Sequence, residues 1–280
     1  MADVTNTSIT VRVQARGGKF LGDDIGGSVV TIRDAMTGEL FATGTTAGGA
    51  GTLSPSYAAN ASLSTIVTPG KAQSTVQWLL AVDTNSRKTT TSAFTATLLL
   101  DRPRLLAFEA FGPIGGLQSA HRVTATQWIV PGQNLSQPPG LVLVLPGLLV
   151  QVVSPATHTA FPPSSSPMAL DVVANVAMMC GCPISNAPNN PWLPSDFDVS
   201  AEIREVGGPV LDTAALAFNE NDTPGLFART FHISPNLTAD PIYYEAIVSA
   251  RQLSTGNVGT GTVTFFALPF SSPGPVAPSR

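Results

Sequence analysis

Short segments in which apolar and polar residues alternate constrain the fold of this chain more than any other feature. In the first segment, Ile9, Val11, Val13 and Ala15 alternate with polar residues. A period of two residues places the apolar side chains on one face of a half-buried β-strand. Similar segments, either alternating or apolar throughout, occur at 29–33, 39–44, 78–82, 94–100, 105–111, 123–130, 141–145, 148–153, 170–178, 199–204, 227–233, 243–250 and 260–267.

The sequence favours strands over helices along its whole length. Every window with apolar residues at helical spacing is interrupted by Gly, Pro or β-branched residues, and the chain contains 25 Gly and 24 Pro. Many short strands separated by turn residues are typical of β-sandwiches. We therefore predict an all-β fold with two antiparallel β-sandwich domains in tandem.

One segment has the composition of a linker between these domains. Residues 154–168 are rich in Pro and Ser and lack periodic apolar residues. This predicts a first domain over 1–153 and a second over 169–270. The Pro-rich residues 271–280 form no regular element and are expected to be a tail.

Charge and composition exclude several classes of protein. Only 11% of the residues are charged, 43% are apolar and the formal net charge is -4. This composition excludes disorder of the charged type and argues against a nucleic-acid partner. The most apolar run, 141–153, is broken by Pro146 and Gly147 and is too short to span a membrane.

The basic residues favour an exported or assembly-embedded protein. Only three of them, Lys19, Lys71 and Lys88, are lysines. The N-terminal residues show no basic segment followed by an apolar one, so we expect no signal peptide in this chain. The composition nevertheless favours a periplasmic, extracellular or cell-surface location, in a bacterial setting.

The segment 26–46 carries a resemblance to known families. It consists of a strand, the turn D-x-x-T-G-E beginning at Asp34, and a returning strand followed by Thr and Gly. In this turn Asp34 can cap the backbone with its carboxylate, and Gly38 can supply a positive φ. The segment resembles the start of transthyretin-like and carboxypeptidase-regulatory-like β-sandwiches, and the second half resembles bacterial immunoglobulin-like domains in its number of strands. The resemblance of 26–46 implies a non-catalytic folding, adhesion or interaction module.

The two cysteines mark the most distinctive chemical feature. Met178, Met179, Cys180 and Cys182 lie together at the end of an apolar strand. Thiolates and thioethers are soft ligands that suit Cu(I), and thiolates also suit zinc. A disulfide between Cys180 and Cys182 is a second interpretation, although the ring is small and strained. Burial of both residues as small apolar side chains is the third.

Trp192 follows the cysteines in a loop stiffened by prolines. It lies within the segment P-N-N-P-W-L-P. One interpretation makes it a contact residue for a protein partner. The other folds its ring back over Cys180 and Cys182.

Other candidate sites have weaker signals. Ser119 and His121 are spaced for one face of a strand, but no nucleophile motif accompanies them. The acidic residues of 219–225 lack the order of a calcium loop, so a solvated turn is expected. Trp78 and Trp128 are expected to be packing residues.

These observations predict a non-enzymatic structural or interaction module. We expect a homo- or hetero-oligomer held by neutral, lysine-poor faces and by addition of strands at sheet edges. One alternative is a copper-binding or redox accessory protein that uses the Met-Met-Cys-Gly-Cys segment. A second alternative is an enzyme whose site lies in the loops between the domains.

Overall fold

The fold is all-β, as predicted. The computed structural model describes residues 4–51, 91–137, 139–188, 190–219 and 223–270. Within them no α-helix occurs, and no helix is long and apolar enough to cross a bilayer. The strands are β1 (Thr5–Ala15), β2 (Val29–Asp34), β3 (Leu40–Thr45), β4 (Phe94–Leu100), β5 (Arg104–Gly112), β6 (His121–Ile129), β7 (Asn134–Leu135), β8 (Leu141–Leu145), β9 (Leu148–Ser154), β10 (Thr159–Phe161), β11 (Met168–Met178), β12 (Phe197–Glu205), β13 (Val210–Ala215), β14 (Ala217–Phe218), β15 (Leu226–Ile233), β16 (Ile242–Gln252) and β17 (Val258–Ala267).

The chain divides into two compact units, and neither is continuous in sequence. Unit 1 comprises Met1–Leu149, Ala177–Phe197 and Arg251–Gly259, and unit 2 comprises Val150–Val176, Asp198–Ala250 and Thr260–Arg280. The division near residue 149 lies close to the boundary predicted at 153. The segments 177–197 and 251–259 differ from the prediction, because they pack with the first unit rather than with the second.

Unit 1 is a sandwich of two sheets. One sheet has the order β4-β1-β7, with β8 also paired to β1, and the other has the order β3-β2-β5-β6. The pairs β1–β7 and β1–β8 are parallel, whereas the pairs β2–β3, β2–β5 and β5–β6 of the second sheet are antiparallel. Side chains fully buried in this unit include Ile9, Val11, Phe20, Leu21, Val30, Ile32, Leu106, Phe108, Ile129 and Leu145.

Strand β1 is buried on both faces, whereas the alternating sequence predicted one exposed face. Thr10, Arg12 and Gln14 on its polar face are all buried. The guanidinium of Arg12 donates hydrogen bonds to the carbonyl oxygens of Thr91, Ser92 and Pro139, at 2.6, 3.1 and 3.2 Å. Backbone carbonyls therefore replace water around this cation, which is what a buried charge requires.

Unit 2 is also built of two sheets. Their orders are β10-β17-β16-β12-β13 and β14-β15-β11-β9. Strand β10 lies inside the predicted linker 154–168, where it pairs in parallel with β17. Buried side chains of this unit include Leu170, Val172, Val176, Ile203, Phe227, Phe231, Tyr244, Val248 and Phe265.

The turn between β2 and β3 confirms its prediction from the sequence. Asp34 Oδ1 accepts hydrogen bonds from the N–H groups of Met36 and Thr37, at 2.8 and 3.0 Å. Gly38 has a φ of 77°. The turn is thus closed by the Asp34 carboxylate and by the positive φ of Gly38, as these residue types predict. The strand predicted over 78–82 lies outside the described residues.

Candidate functional site

The cysteine loop, defined here as residues 177–197, begins with a tight turn at the end of β11. The Met178 N–H donates to the Cys182 carbonyl at 3.0 Å, and the Gly181 N–H donates to the Met178 carbonyl at 2.8 Å. Gly181 has a φ of 76°, which L-residues with side chains seldom adopt. The turn places Cys180 and Cys182 on either side of this glycine.

Both cysteines are free thiols in the structure, and both are buried, with exposed fractions of 1% and 7%. Burial acts to raise the pKa of Cys180. Hydrogen bonds from the Cys182 thiol and from the N–H groups of Lys19 and Cys182 outweigh burial and lower this pKa. The same thiol contact, together with burial, raises the pKa of Cys182. Of the two thiols, Cys180 therefore has the lower pKa and Cys182 the higher. The Cys182 thiol also donates to the Cys180 carbonyl oxygen at 3.9 Å.

The methionine and cysteine sulfurs were predicted as one soft-metal site. Met178 and Met179 are both fully buried. The Met179 methyl group and the His121 ring both lie next to Gly147. The Cys180 sulfur instead lies next to Gly18. Across the described residues, no three His, Cys, Asp or Glu side chains are grouped to hold a metal ion. The four-sulfur site and the disulfide both stay predictions.

Trp192 is not available to a protein partner, which corrects one of its two interpretations. Its side chain is only 4% exposed, and its Nε1 donates to the Gly17 carbonyl at 2.9 Å. Gly17 and Gly18 form the turn against which Cys180 packs. The indole therefore anchors the cysteine loop within unit 1, close to the second interpretation. An indole N–H is buried only where it finds an acceptor, and this carbonyl supplies one.

Asn257 is a second anchor of unit 1, and sequence reasoning missed it. Its Nδ2 donates to the Arg16 carbonyl at 2.9 Å and to Gln252 Oε1 at 3.1 Å, and its Oδ1 accepts the Gly147 N–H at 3.2 Å. The side chain is buried. The only sequence signal was an Asn after Gly256 in a turn between two strands, which is common and unspecific.

Strand β6 forms one edge of the second sheet of unit 1. Nine consecutive residues pair with β5 without a register shift, from His121 to Ile129. Strand β8 of the first sheet lies close to β6, but no strand other than β5 is hydrogen-bonded to β6 in the described part of the chain. Its exposure alternates, so that Arg122, Thr124, Thr126 and Trp128 are exposed. Trp128 is 63% exposed, so the expectation that it packs in the core was wrong.

The exposed face around β6 combines aromatic and charged groups. Arg122 lies 5.4 Å from the centre of the Phe111 ring and donates to Glu109 at 2.8 Å. Leu105 lies directly opposite Trp128 on the neighbouring strand. A large, exposed aromatic beside partly exposed apolar groups is typical of an interaction surface.

Unit 2 has an exposed aromatic cluster of its own. The Tyr243 ring, 55% exposed, lies 5.7 Å from that of Phe266, which lies 5.1 Å from His158. His158 has a φ of 67°, and it is the only residue other than Gly with a positive φ in the described part of the chain.

The remaining predicted candidates do not converge. Ser119 is buried at the end of a 3₁₀ turn, and His121 begins β6. The acidic residues of 220–222 lie outside the described residues.

No protein-family model and no curated protein matches the chain. Two solved structures show a remote similarity. The chicken interferon gamma receptor alpha chain is 9% identical, over 96% of this chain and 100% of that one, with a TM-score of 0.31. A SusE-like, surface-located polysaccharide-binding protein from Bacteroides thetaiotaomicron is 12% identical, over 67% of this chain and 74% of that one, with a TM-score of 0.19. Such scores carry no argument, so the sandwich fold rests on the strands described above. The transthyretin-like resemblance of 26–46 is supported by no family model.

Proposed function

We propose that this protein is a non-enzymatic interaction module that binds protein partners by adding a strand to β6. The observation that supports this proposal is the unbroken, nine-residue edge of β6 with the exposed Trp128 at one end. Such a module would be a subunit of a larger surface or extracellular assembly, in keeping with its lysine-poor composition.

The physical basis is the set of unpaired backbone groups at a sheet edge. An exposed edge presents a row of N–H and C=O groups to an incoming strand, and alternate side chains then provide specificity. Natural edges are usually protected by Pro, Lys or a bulge. Strand β6 contains no Pro, Lys or bulge, since its sequence is HRVTATQWI and its register with β5 is continuous. Its one exposed charge, Arg122, is paired with Glu109.

A peptide experiment tests this function without knowledge of the partner. A synthetic peptide with the sequence of 121–129 is added to the full chain, and amide hydrogen exchange is measured by NMR. We expect slower exchange at Arg122, Thr124, Thr126 and Trp128. The control peptide carries Pro in place of Thr124 and Thr126, and it should protect none of them. The chain is measured at a dilution at which it is monomeric, and equal exchange there with and without the first peptide would contradict the proposed function.

The thiol pair supports a second candidate function, in redox or soft-metal chemistry. The specific observation is that two buried free thiols lie together, with the Cys182 Sγ 3.9 Å from the Cys180 carbonyl oxygen. The surroundings of Cys180 lower its pKa, which favours a reactive thiol. Formation of a disulfide would remove two protons and two electrons from the pair, and a disulfide such as oxidised glutathione would accept them.

Intact mass distinguishes the outcomes for this pair. Protein purified without reductant or chelator is measured under native and denaturing conditions. A loss of about 2 Da in the denatured spectrum, abolished in Cys180→Ser, would indicate the disulfide. Added mass matching one copper or zinc ion in the native spectrum, abolished in the same variant, would indicate the metal site. The free-thiol mass in both spectra would reject this second function.

A further inference from the structure

We propose that the partner added to β6 is a second copy of this chain, paired antiparallel about a two-fold axis at Ala125. The inference rests on the proposed function and names the partner and the register. It follows from the direction of the backbone groups of β6 and from the order of its side chains.

The direction of the free backbone groups follows from one hydrogen bond. The Ala35 N–H donates to the Leu105 carbonyl at 2.8 Å, on the side of β5 that faces β2. In antiparallel sheets, consecutive residues point their backbone groups to opposite sides. Leu106, Phe108 and Ala110 of β5 therefore point toward β6.

This alternation fixes which groups of β6 remain free. The residues opposite Leu106, Phe108 and Ala110 are Gln127, Ala125 and Val123, and they bond to β5. Their neighbours in β6 point outward: Arg122, Thr124, Thr126 and Trp128. These are also the residues with exposed side chains. The free edge therefore presents four residues with unpaired N–H and C=O groups within the described part of the chain.

Only one symmetric register uses all four of them. With Ala125 opposite its own copy, Thr124 lies opposite Thr126 of the second copy, and Arg122 lies opposite Trp128. All outward residues then find partners, giving about eight hydrogen bonds between the strands. Centring the pair on Thr124 or on Thr126 leaves one outward residue of each strand without a hydrogen-bonded partner.

The same register brings favourable side chains together. Arg122 is held by Glu109 and lies over Phe111, and the Trp128 ring of the second copy would be its neighbour on the free side. Arginine over an indole face is a favourable cation–π pair. Thr opposite Thr is a favourable cross-strand pair, and no like charges face each other.

Other edges of the described sheets suit pairing less well. The registers of β3 with β2 and of β13 with β12 are interrupted by shifts. Strands β10 and β14 have three and two residues. Strands β4, β8 and β9 are also edges, with seven, five and seven residues. Strand β6, with nine residues, is the longest of these edges and has no register shift.

Sedimentation velocity of the full chain across the micromolar range tests the pairing. We expect a species of twice the 28.9 kDa chain mass that dissociates on dilution. The double variant Thr124→Lys and Thr126→Lys places like charges opposite each other and should be monomeric. Thr124→Val and Thr126→Val keep β-branched side chains and should remain dimeric. Unchanged thermal unfolding of all variants shows that the sheet itself is intact.

Cysteine cross-linking tests the register. Two Ala125 residues would form a non-hydrogen-bonded pair, in which the Cα atoms lie closest. Ala125→Cys should therefore form a disulfide-linked dimer when oxidised glutathione is added. Thr124→Cys should not, because each copy would face Thr126, and the wild type serves as the control for Cys180 and Cys182.

The results separate this inference from the proposed function. A wild type that stays monomeric throughout would overturn the dimer. Cross-linking through Thr124→Cys but not through Ala125→Cys would overturn the register. If the chain is monomeric but the 121–129 peptide protects the edge amides, strand addition stands and the partner is another protein. If neither occurs, both proposals fail.

Discussion

The indole Nε1 of Trp192 lies 2.9 Å from the carbonyl oxygen of Gly17. This single hydrogen bond joins the cysteine loop to the first turn of unit 1, residues that are 175 positions apart in sequence. The same turn contains Gly18, against which the Cys180 sulfur packs. The position of the two thiols therefore depends on Trp192, which is not itself part of the pair.

Trp192→Phe should lower the free energy of unfolding by about 1–3 kcal/mol, because the Gly17 carbonyl loses its donor. Urea denaturation measures the change. Trp128→Phe is the matched control, since Trp128 is exposed and should change stability by less than about 0.5 kcal/mol. Equal losses in the two variants would contradict the anchoring role.

Asn257→Asp should destabilise the protein by about 3 kcal/mol or more at neutral pH. The new carboxylate oxygen would face the Arg16 carbonyl and Gln252 Oε1, which are both acceptors. Thermal and urea unfolding measure the loss. Asn134→Asp is the control, because the Asn134 side-chain oxygen already acts as an acceptor at an exposed site. A neutral effect of Asn257→Asp would show that these hydrogen bonds contribute little.

Asp34 should make stability depend on pH in the acid range. Hydrogen bonds from the Met36 and Thr37 N–H groups, and then Arg104, hold the pKa of Asp34 below its ordinary value. A lowered folded-state pKa stabilises the fold fully above the unfolded pKa of about 4, and this contribution is lost as pH falls through the folded value. Asp34→Asn should therefore be less stable than wild type at pH 7.

The difference between Asp34→Asn and wild type should shrink on acidification, as measured by urea unfolding at a series of pH values. Glu39→Gln is the control, because Glu39 is exposed and lies farther from Arg104, at 3.6 Å. A constant difference between Asp34→Asn and wild type at all pH values would rule out the charge as its cause.

The two thiols should titrate in different pH ranges, with the pKa of Cys180 below and that of Cys182 above the ordinary cysteine value. Thiolate ultraviolet absorbance should rise below the ordinary cysteine pKa, because Cys180 is stabilised by the Cys182 thiol and two N–H groups. Cys180→Ser should abolish this early rise. Cys182→Ala should shift it to higher pH, since the thiol donor is lost. An unchanged titration in Cys182→Ala would show that the two thiols are not in contact.

Local sequence predicted much of the strand pattern and one turn. The β2–β3 hairpin was predicted because Asp34 and Gly38 determine its turn by interactions within a few residues. Alternation also located β6 correctly. It failed for the environment of Trp128, because alternation shows which residues share a face but not which face is covered.

The candidate sites were predicted less well for a related reason. The proximity of Cys180 and Cys182 follows from their spacing, but the N–H of Lys19 that favours the thiolate comes from a distant part of the chain. The burial of Trp192 and of Asn257 likewise depends on the carbonyls of Gly17 and Arg16. No local pattern encodes such long-range acceptors.

The sequence by itself determined the all-β class and the turn of Asp34, because period-two alternation and turn chemistry act over a few residues. Only the tertiary structure decided that 177–197 and 251–259 pack with unit 1, that β1 is covered on both faces, and that β6 is an open edge. These features depend on which strands lie side by side. Pairing between strands that are distant in sequence satisfies buried backbone N–H and C=O groups, and no single segment encodes such pairing.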